Sequence, residues 1–212
     1  MTSRPAIGMI GLGLMASALA DRFLAAGQPV IGWDIDAERR AALRERGGDL
    51  ARDLKEVFGS CSPVLLSLPS HREVGDVVRD AGAAPGSGST IIDTTTGDPA
   101  STDELATALS ARGVVYLDAT ISGSSAQVRA GSATVMVGGD PASFEGCSDI
   151  FALIGPQTFH TGPPGSGAKM KPVTNLVLGL SRAALAEGLD RWCSAIRRRW
   201  GSAFAWQPSL PS

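Results

Sequence analysis

The chain has 212 residues, enough for one full domain and the start of another. Hydrophobic residues make up 43% and charged residues 19%, which suits a packed core, and glycine (26) with proline (13) stays below the level of a disordered chain. A formal net charge of −2 gives no basis for nucleic-acid or acidic-membrane binding.

In chain order, AIGMI (6–10) is the first predicted strand, and a helical pattern follows from about Met15 to Ala26, stopped by Gly27. PVIGW (29–33) is the second strand. DAERRAALRERGG (36–48) then reads as a helix with a charged solvent face, closed by its glycines. PVLLSL (63–68), TIID (90–93) and VVYLD (114–118) are further strands with helical patterns between them. Asp98 and Pro99 read as an N-cap and first helical position, opening a helix that ends near Gly113. ATVMVGG (133–139) and QTFH (157–160) are later strands, separated by a helix near 141–153. Fully apolar strands with helices between them predict a parallel sheet covered on both faces. The reading is an α/β fold, a Rossmann-type, doubly wound, mostly parallel sheet over residues 1–165, followed by a long helix.

That inter-domain helix is predicted over residues 166–190, its apolar pattern running from Ala168 to about Asp190, because Val173, Leu176, Val177, Leu180, Ala184 and Leu185 recur near helical spacing. Pro172 fits it only within the first turn. Residues 191–212 hold three of the four tryptophans and a triple arginine, and read as an atypical, ill-packed tail. The three cysteines, Cys61, Cys147 and Cys193, match neither a disulfide framework nor a metal-ligand spacing, so a reducing cytoplasm and no metal are expected. No window approaches the ~20 apolar residues of a membrane-spanning helix, and no signal core with a cleavage site precedes the first strand.

Gly11-x-Gly13-x-x-Ala16 sits directly after the first strand and opens a helix, the placement a dinucleotide fingerprint requires. Gly11 permits the tight turn, Gly13 lets backbone approach a pyrophosphate, and Ala16 lets the helix pack close to the strand. The helix N-terminus offers amide donors to phosphate. Asp34, 23 residues after Gly11 at the end of the second strand, can accept from both adenosine ribose hydroxyls and would repel a 2′-phosphate. NAD is therefore favoured over NADP, with Arg39 and Arg40 near enough to temper the preference. A plain strand–helix turn with an exposed Asp34 would use the same residues.

Ser122-Gly123 follows another strand end and offers a hydroxyl and an unobstructed amide to a substrate carboxylate, although such a pair also makes an ordinary turn. Lys171 and Asn175 are one helical turn apart and share a face. An ammonium at a helix start is disfavoured by the dipole, so its proton is easier to lose. A solvated lysine is the alternative. His71 and His160 read as loop or turn residues rather than bases.

Together these blocks make the chain resemble the β-hydroxyacid dehydrogenase family, typified by 3-hydroxyisobutyrate dehydrogenase, from about residue 6 to 190. The family's DAPVSGG signature appears as Asp118-Ala119-Thr120-Ile121-Ser122-Gly123-Ser124, and its lysine–asparagine block as Gly165 through Asn175. The resemblance implies NAD lying across Gly11, Leu12, Gly13, Leu14 and Met15, with Asp34 on the ribose and Leu68, Pro69 and Thr96 bordering the cofactor. It implies that Ser122, Gly123 and Asn175 hold a short hydroxy acid or semialdehyde, and that Lys171 is the general acid/base. Partners implied are that small molecule and a homo-oligomer, with no nucleic acid or membrane.

Thr120, Ile121, Ser124, Pro172 and Thr174 depart from the family pattern, so substrate choice is expected to differ. Members continue into an all-α domain; here the resemblance stops near Asp190, so a truncated C-terminal domain is expected, with residues 191–212 a frameshifted or disordered tail. An imine reductase shares the architecture but typically lacks a lysine at position 171. A catalytically inactive dinucleotide-binding remnant is the third reading.

Overall fold

A computed structural model describes residues 4–200. The first apolar run forms β1 (Ile7–Ile10), buried at every residue because helices cover both faces of the sheet there. Gly11 and Gly13 turn the chain into α1 (Leu14–Ala25), which buries Ala16, Leu19, Ala20 and Phe23 in one core cluster with Ile7, Met9 and Leu65. Next come β2 (Val30–Trp33), α2 (Ala37–Glu45), β3 (Asp49–Leu50) and α3 (Leu54–Ser60). The side chains of Asp36 and Asp53 cap α2 and α3. β3 has only two residues at the sheet edge, too short for periodicity to reveal.

β4 (Val64–Leu66), α4 (His71–Ala81), β5 (Thr90–Asp93) and α5 (Pro99–Ser110) follow. Asp98 caps α5 with Pro99 in its first turn, as the sequence predicts. The remaining elements are β6 (Val115–Ser122), α6 (Ser125–Arg129), β7 (Thr134–Gly138), α7 (Pro141–Gly146), α8 (Ser148–Ile154), β8 (Gln157–Gly162) and α9 (Ser166–Trp200). The sheet order is β3-β2-β1-β4-β5-β6-β7-β8. The β6–β7 pair is antiparallel and every other pair is parallel. One core cluster lies on each face, the second built around Ile10, Phe58, Leu66, Val74 and Ile91. This is the Rossmann-type, mostly parallel sheet expected.

Four local readings are corrected. The helix near 141–153 is two helices, meeting at Cys147. α9 begins at Ser166, so Pro172 lies inside the helix and cannot donate to the Ala168 carbonyl. α9 also continues through 191–200, where an atypical tail was expected; residues 201–212 lie outside the described residues. His71 opens α4, and His160 lies in β8, where its ring bonds the Gly139 carbonyl at 2.8 Å.

The chain divides into two compact units, Met1–Pro172 and Val173–Ser212, so the first turn of α9 belongs with the sheet. In the second unit Leu176, Val177, Leu180, Leu185 and Leu189 are exposed. No helix among the described residues is long and apolar enough to cross a membrane.

Phe23 is fully buried in the α1-side cluster. Phe23→Ala is expected to cost about 3–5 kcal/mol in a urea titration followed by circular dichroism.

Candidate active site

β1 and β4 are sheet neighbours whose following segments diverge, β1 leading to β2 on one side and β4 to β5 on the other. The crevice beyond their carboxyl ends is where ligands bind in open α/β sheets. Gly11 enters it with φ +83°, and a Cβ there would lie 2.4 Å from the Ser67 carbonyl oxygen, so only glycine passes between the two loops. At Gly13 a Cβ would meet nothing closer than Arg39 Nη1 at 3.9 Å, leaving the approach to the helix open. Gly13 is also the N-cap of α1 and supplies no side-chain cap, so the first-turn amides are left for an anion.

Asp34 is 4% exposed, not the surface residue that a plain turn would leave. Its Oδ2 accepts the Leu12 amide at 2.6 Å and its Oδ1 the Asp36 amide at 2.8 Å, which ties the end of β2 to the glycine loop. Each oxygen keeps a further lone pair for a ribose hydroxyl. Arg39 leans over the same carboxylate, with Nη1 3.6 Å from Asp34 and Nε 3.4 Å from Asp36. Arg40 instead donates to the Asp34 and Ile35 carbonyls. Beside Asp34 opens a cavity of about 260 Å³ with Trp33, Ile35, Leu54, Leu68 and Val77 among its walls. Glu73, Asp76 and Asp80 from α4 line it too, as does Arg39. An apolar slot beside a buried carboxylate would fit an adenine ring next to its ribose, and the acidic side chains that line it would oppose an extra phosphate.

The other half of the site is built along β6. Asp118 accepts the Gly165 and Ala168 amides, the Thr120 hydroxyl donates to the Gly167 carbonyl at 2.9 Å, and Lys171 Nζ donates to the Ile121 carbonyl. Three residues of strand rise about 10 Å, and six residues of helix rise about 9 Å. The first turns of α9 therefore climb β6 in step and deliver Lys171 to its carboxyl end. There Ser122 pairs with Thr134 of β7, and Gly123, with φ +148°, turns the chain into α6. Ser124, in place of the family's second glycine, caps α6 in a reciprocal pair with Gln127.

Burial lowers the Lys171 pKa from the ordinary lysine value. Beneath it lie two buried carboxylates on paired positions, Asp93 and Asp118. Burial raises the Asp93 pKa, while the Thr95 amide at 2.9 Å and the Tyr116 hydroxyl at 2.6 Å hold its charged form. Burial also pushes Asp118 up to about 6, against the pull of its two amides. The stability its neutral form contributes is full below the ordinary value of 3.8 and is lost as pH rises through about 6.

Gly11, Asp34, Leu68 and Pro69 line one cavity, Leu12, Gly13, Leu14 and Met15 continue from Gly11 into α1, and Ser122, Gly123 and Lys171 lie at one strand end. Thr96 is exposed in the loop after β5. Its neighbour Thr95 is buried and accepts the Leu68 amide at 3.1 Å, which sets the β4 loop; no local pattern distinguishes the two threonines. Asn175 belongs to the second unit, one turn beyond Lys171 along α9. Lys169 is exposed.

Residues 6–162 match the family model of the NAD-binding domain of 6-phosphogluconate dehydrogenase. The chain is 33% identical over 186 residues to 2-(hydroxymethyl)glutarate dehydrogenase of Eubacterium barkeri, covering 86% of this chain and 62% of that protein. It is 30% identical over 193 residues to the mitochondrial 3-hydroxyisobutyrate dehydrogenase of Mus musculus, covering 90% of this chain and 58% of that one. The chain thus spans about three-fifths of the length of these relatives. An imine reductase from Pseudomonas sp. has the same fold, with TM-score 0.80 at 22% identity, over 91% of this chain and 68% of that one.

Gly11 and Gly13 make separable expectations. Gly11→Ala should lower the melting temperature and abolish NADH binding, whereas Gly13→Val should keep the melting temperature and still abolish binding. Thermal unfolding and NADH fluorescence titration of both variants check this.

Proposed function

Because the chain belongs to the family of the NAD-binding domain of 6-phosphogluconate dehydrogenase, we propose that it is an NAD-dependent oxidoreductase of short 3-hydroxy acids, with Lys171 as general acid/base. The observation that carries this reading is Lys171: a half-buried lysine with a lowered pKa, held at the carbonyl just before Ser122-Gly123. A lysine with these properties is suited to proton transfer; a solvated surface lysine lacks both. The names of the two relatives, one acting on 2-(hydroxymethyl)glutarate and one on 3-hydroxyisobutyrate, agree with a substrate bearing a carboxylate and a hydroxyl. The substrate class is a 3-hydroxyisobutyrate or tartronate semialdehyde type of acid.

Bound NAD supplies the hydride acceptor, or as NADH the donor. The chain's own residues do the rest. Asp34 takes the ribose hydroxyls, and the amides at the start of α1 take the pyrophosphate. The Ser122 hydroxyl and the Gly123 amide bind the substrate carboxylate. In the oxidation, Lys171 Nζ as free amine removes the hydroxyl proton while the carbinol carbon gives up its hydride. In the reduction, the ammonium returns that proton to the carbonyl oxygen.

A cyclic imine is the competing substrate, favoured by the shared imine reductase fold. Neither reaction calls on His71 or His160.

The test is NADH consumption with a panel of 3-oxo acids, semialdehydes and one cyclic imine. Lys171→Ala is expected to lower oxo-acid turnover by about 10²–10⁴-fold with NADH affinity retained. Imine turnover that survives Lys171→Ala would replace the proposed reaction, and NADH binding without any turnover would mark an inactive dinucleotide-binding domain. Reduction needs the ammonium, so its rate is expected to fall as pH rises through the lowered Lys171 pKa. Oxidation needs the amine and should rise over the same interval.

A further inference from the structure

The start of α9 is held by side chains of other elements. Asp118 Oδ1 accepts the Gly165 amide at 2.9 Å and Oδ2 the Ala168 amide at 2.8 Å, both from residues about fifty positions away. Glycines make the room: a Cβ on Gly138 would lie 2.2 Å from Oδ1, and one on Gly167 would lie 2.7 Å from Oδ2. Two residues along β6, the Thr120 hydroxyl is bound to the Gly167 carbonyl, and one residue further the Ile121 carbonyl takes Lys171. On the β7–β8 side, Ser166 shares a hydrogen bond with the Thr161 hydroxyl, which donates to the Val137 carbonyl at 3.0 Å.

A carboxylate is a costly way to cap a helix in this place. Asp118 is 3% exposed, and Asp93 faces it from β5 with Tyr116 bound to Asp93. A capping serine or threonine would satisfy amides without a buried charge. What a two-oxygen acceptor adds is geometry, because fixing two amides three residues apart sets both the height and the rotation of the turn. Lys171 is three residues past Ala168, so that rotation decides whether its ammonium reaches the end of β6.

We propose that Asp118 is a positioning residue for Lys171, acting through the Gly165 and Ala168 amides to set the first turns of α9 against β6. Thr120 is the second point of the same clamp. The inference rests on the proposed function only in taking Lys171 as the proton-transferring group, and its test reads Lys171 directly.

The chain has three lysines, Lys55, Lys169 and Lys171, so protein labelled with ¹³C at lysine Cε gives three resonances to titrate, with Lys171→Arg assigning the third. In the wild type Lys171 is expected to titrate below the other two. Asp118→Asn offers one acceptor oxygen and turns an NH₂ against an amide donor. In that variant the Lys171 midpoint should rise by about half a pH unit or more while Lys55 and Lys169 stay in place. Thr120→Val, which keeps the side-chain shape, should shift it in the same direction. NADH affinity should stay within about twofold in both variants, and kcat should fall about tenfold or more, since a misplacement near 1 Å costs up to 10²-fold. A Lys171 midpoint unmoved in both folded variants overturns the proposal. If Asp118→Asn fails to fold by circular dichroism, Thr120→Val alone decides. A wild type without turnover would count against the proposed function and leave the titration to decide the positioning role.

Discussion

Parallel strand pairing is the constraint from which the site follows. Each strand from β1 to β6 points the same way, so each loop that leaves a strand leaves at the same edge. Residues distant in sequence, Gly11, Asp34, Leu68, Thr95 and Ser122, arrive together because they all follow strand ends. The reversal of order between β1 and β4 then opens the crevice, since the segments that leave them turn to opposite sides. The glycine loop can occupy that crevice only because Gly11 passes under the Ser67 carbonyl without a side chain.

The antiparallel β7 changes the geometry on the far side of the site. It starts beside Ser122 and runs back to Gly138 beside Asp118, and β8 runs parallel to it. The chain therefore emerges from β8 low on the sheet, below the ligand edge, and must climb to reach it. α9 does that climbing. Its first turns are bound to Asp118, Thr120 and Ile121 in succession, and the carboxyl end of β6 is reached at Lys171. Pro172 follows at once, where the missing amide interrupts the helical hydrogen bonding and the compact unit of the sheet ends.

Electrostatics divide the site into two halves with different tasks. At the end of β2, Asp34 accepts amide donors beside an arginine, with acidic side chains of α4 lining the same cavity, an arrangement that would suit a ribose without a 2′-phosphate. At the β6 end, burial governs: it lowers Lys171 and raises Asp93 and Asp118, so charged and neutral forms lie closer in free energy than they would in water. A lysine eased toward neutrality can both take and return a proton.

Much of this was legible from the amino-acid sequence because it depends on local rules. Apolar runs bounded by turn residues marked every strand longer than two residues. The glycine spacing marked the dinucleotide loop, and Asp98-Pro99 marked the start of α5. Readings failed where local pattern was ambiguous or absent: the two-residue β3, the break at Cys147, and the extent of α9 beyond residue 190. Sequence alone determined the fold class and the identity of the groups that can do chemistry, since residue type and spacing set both. Tertiary structure decided which of them meet, because a buried carboxylate such as Asp118 finds its two amides only after some fifty residues have folded back against its strand.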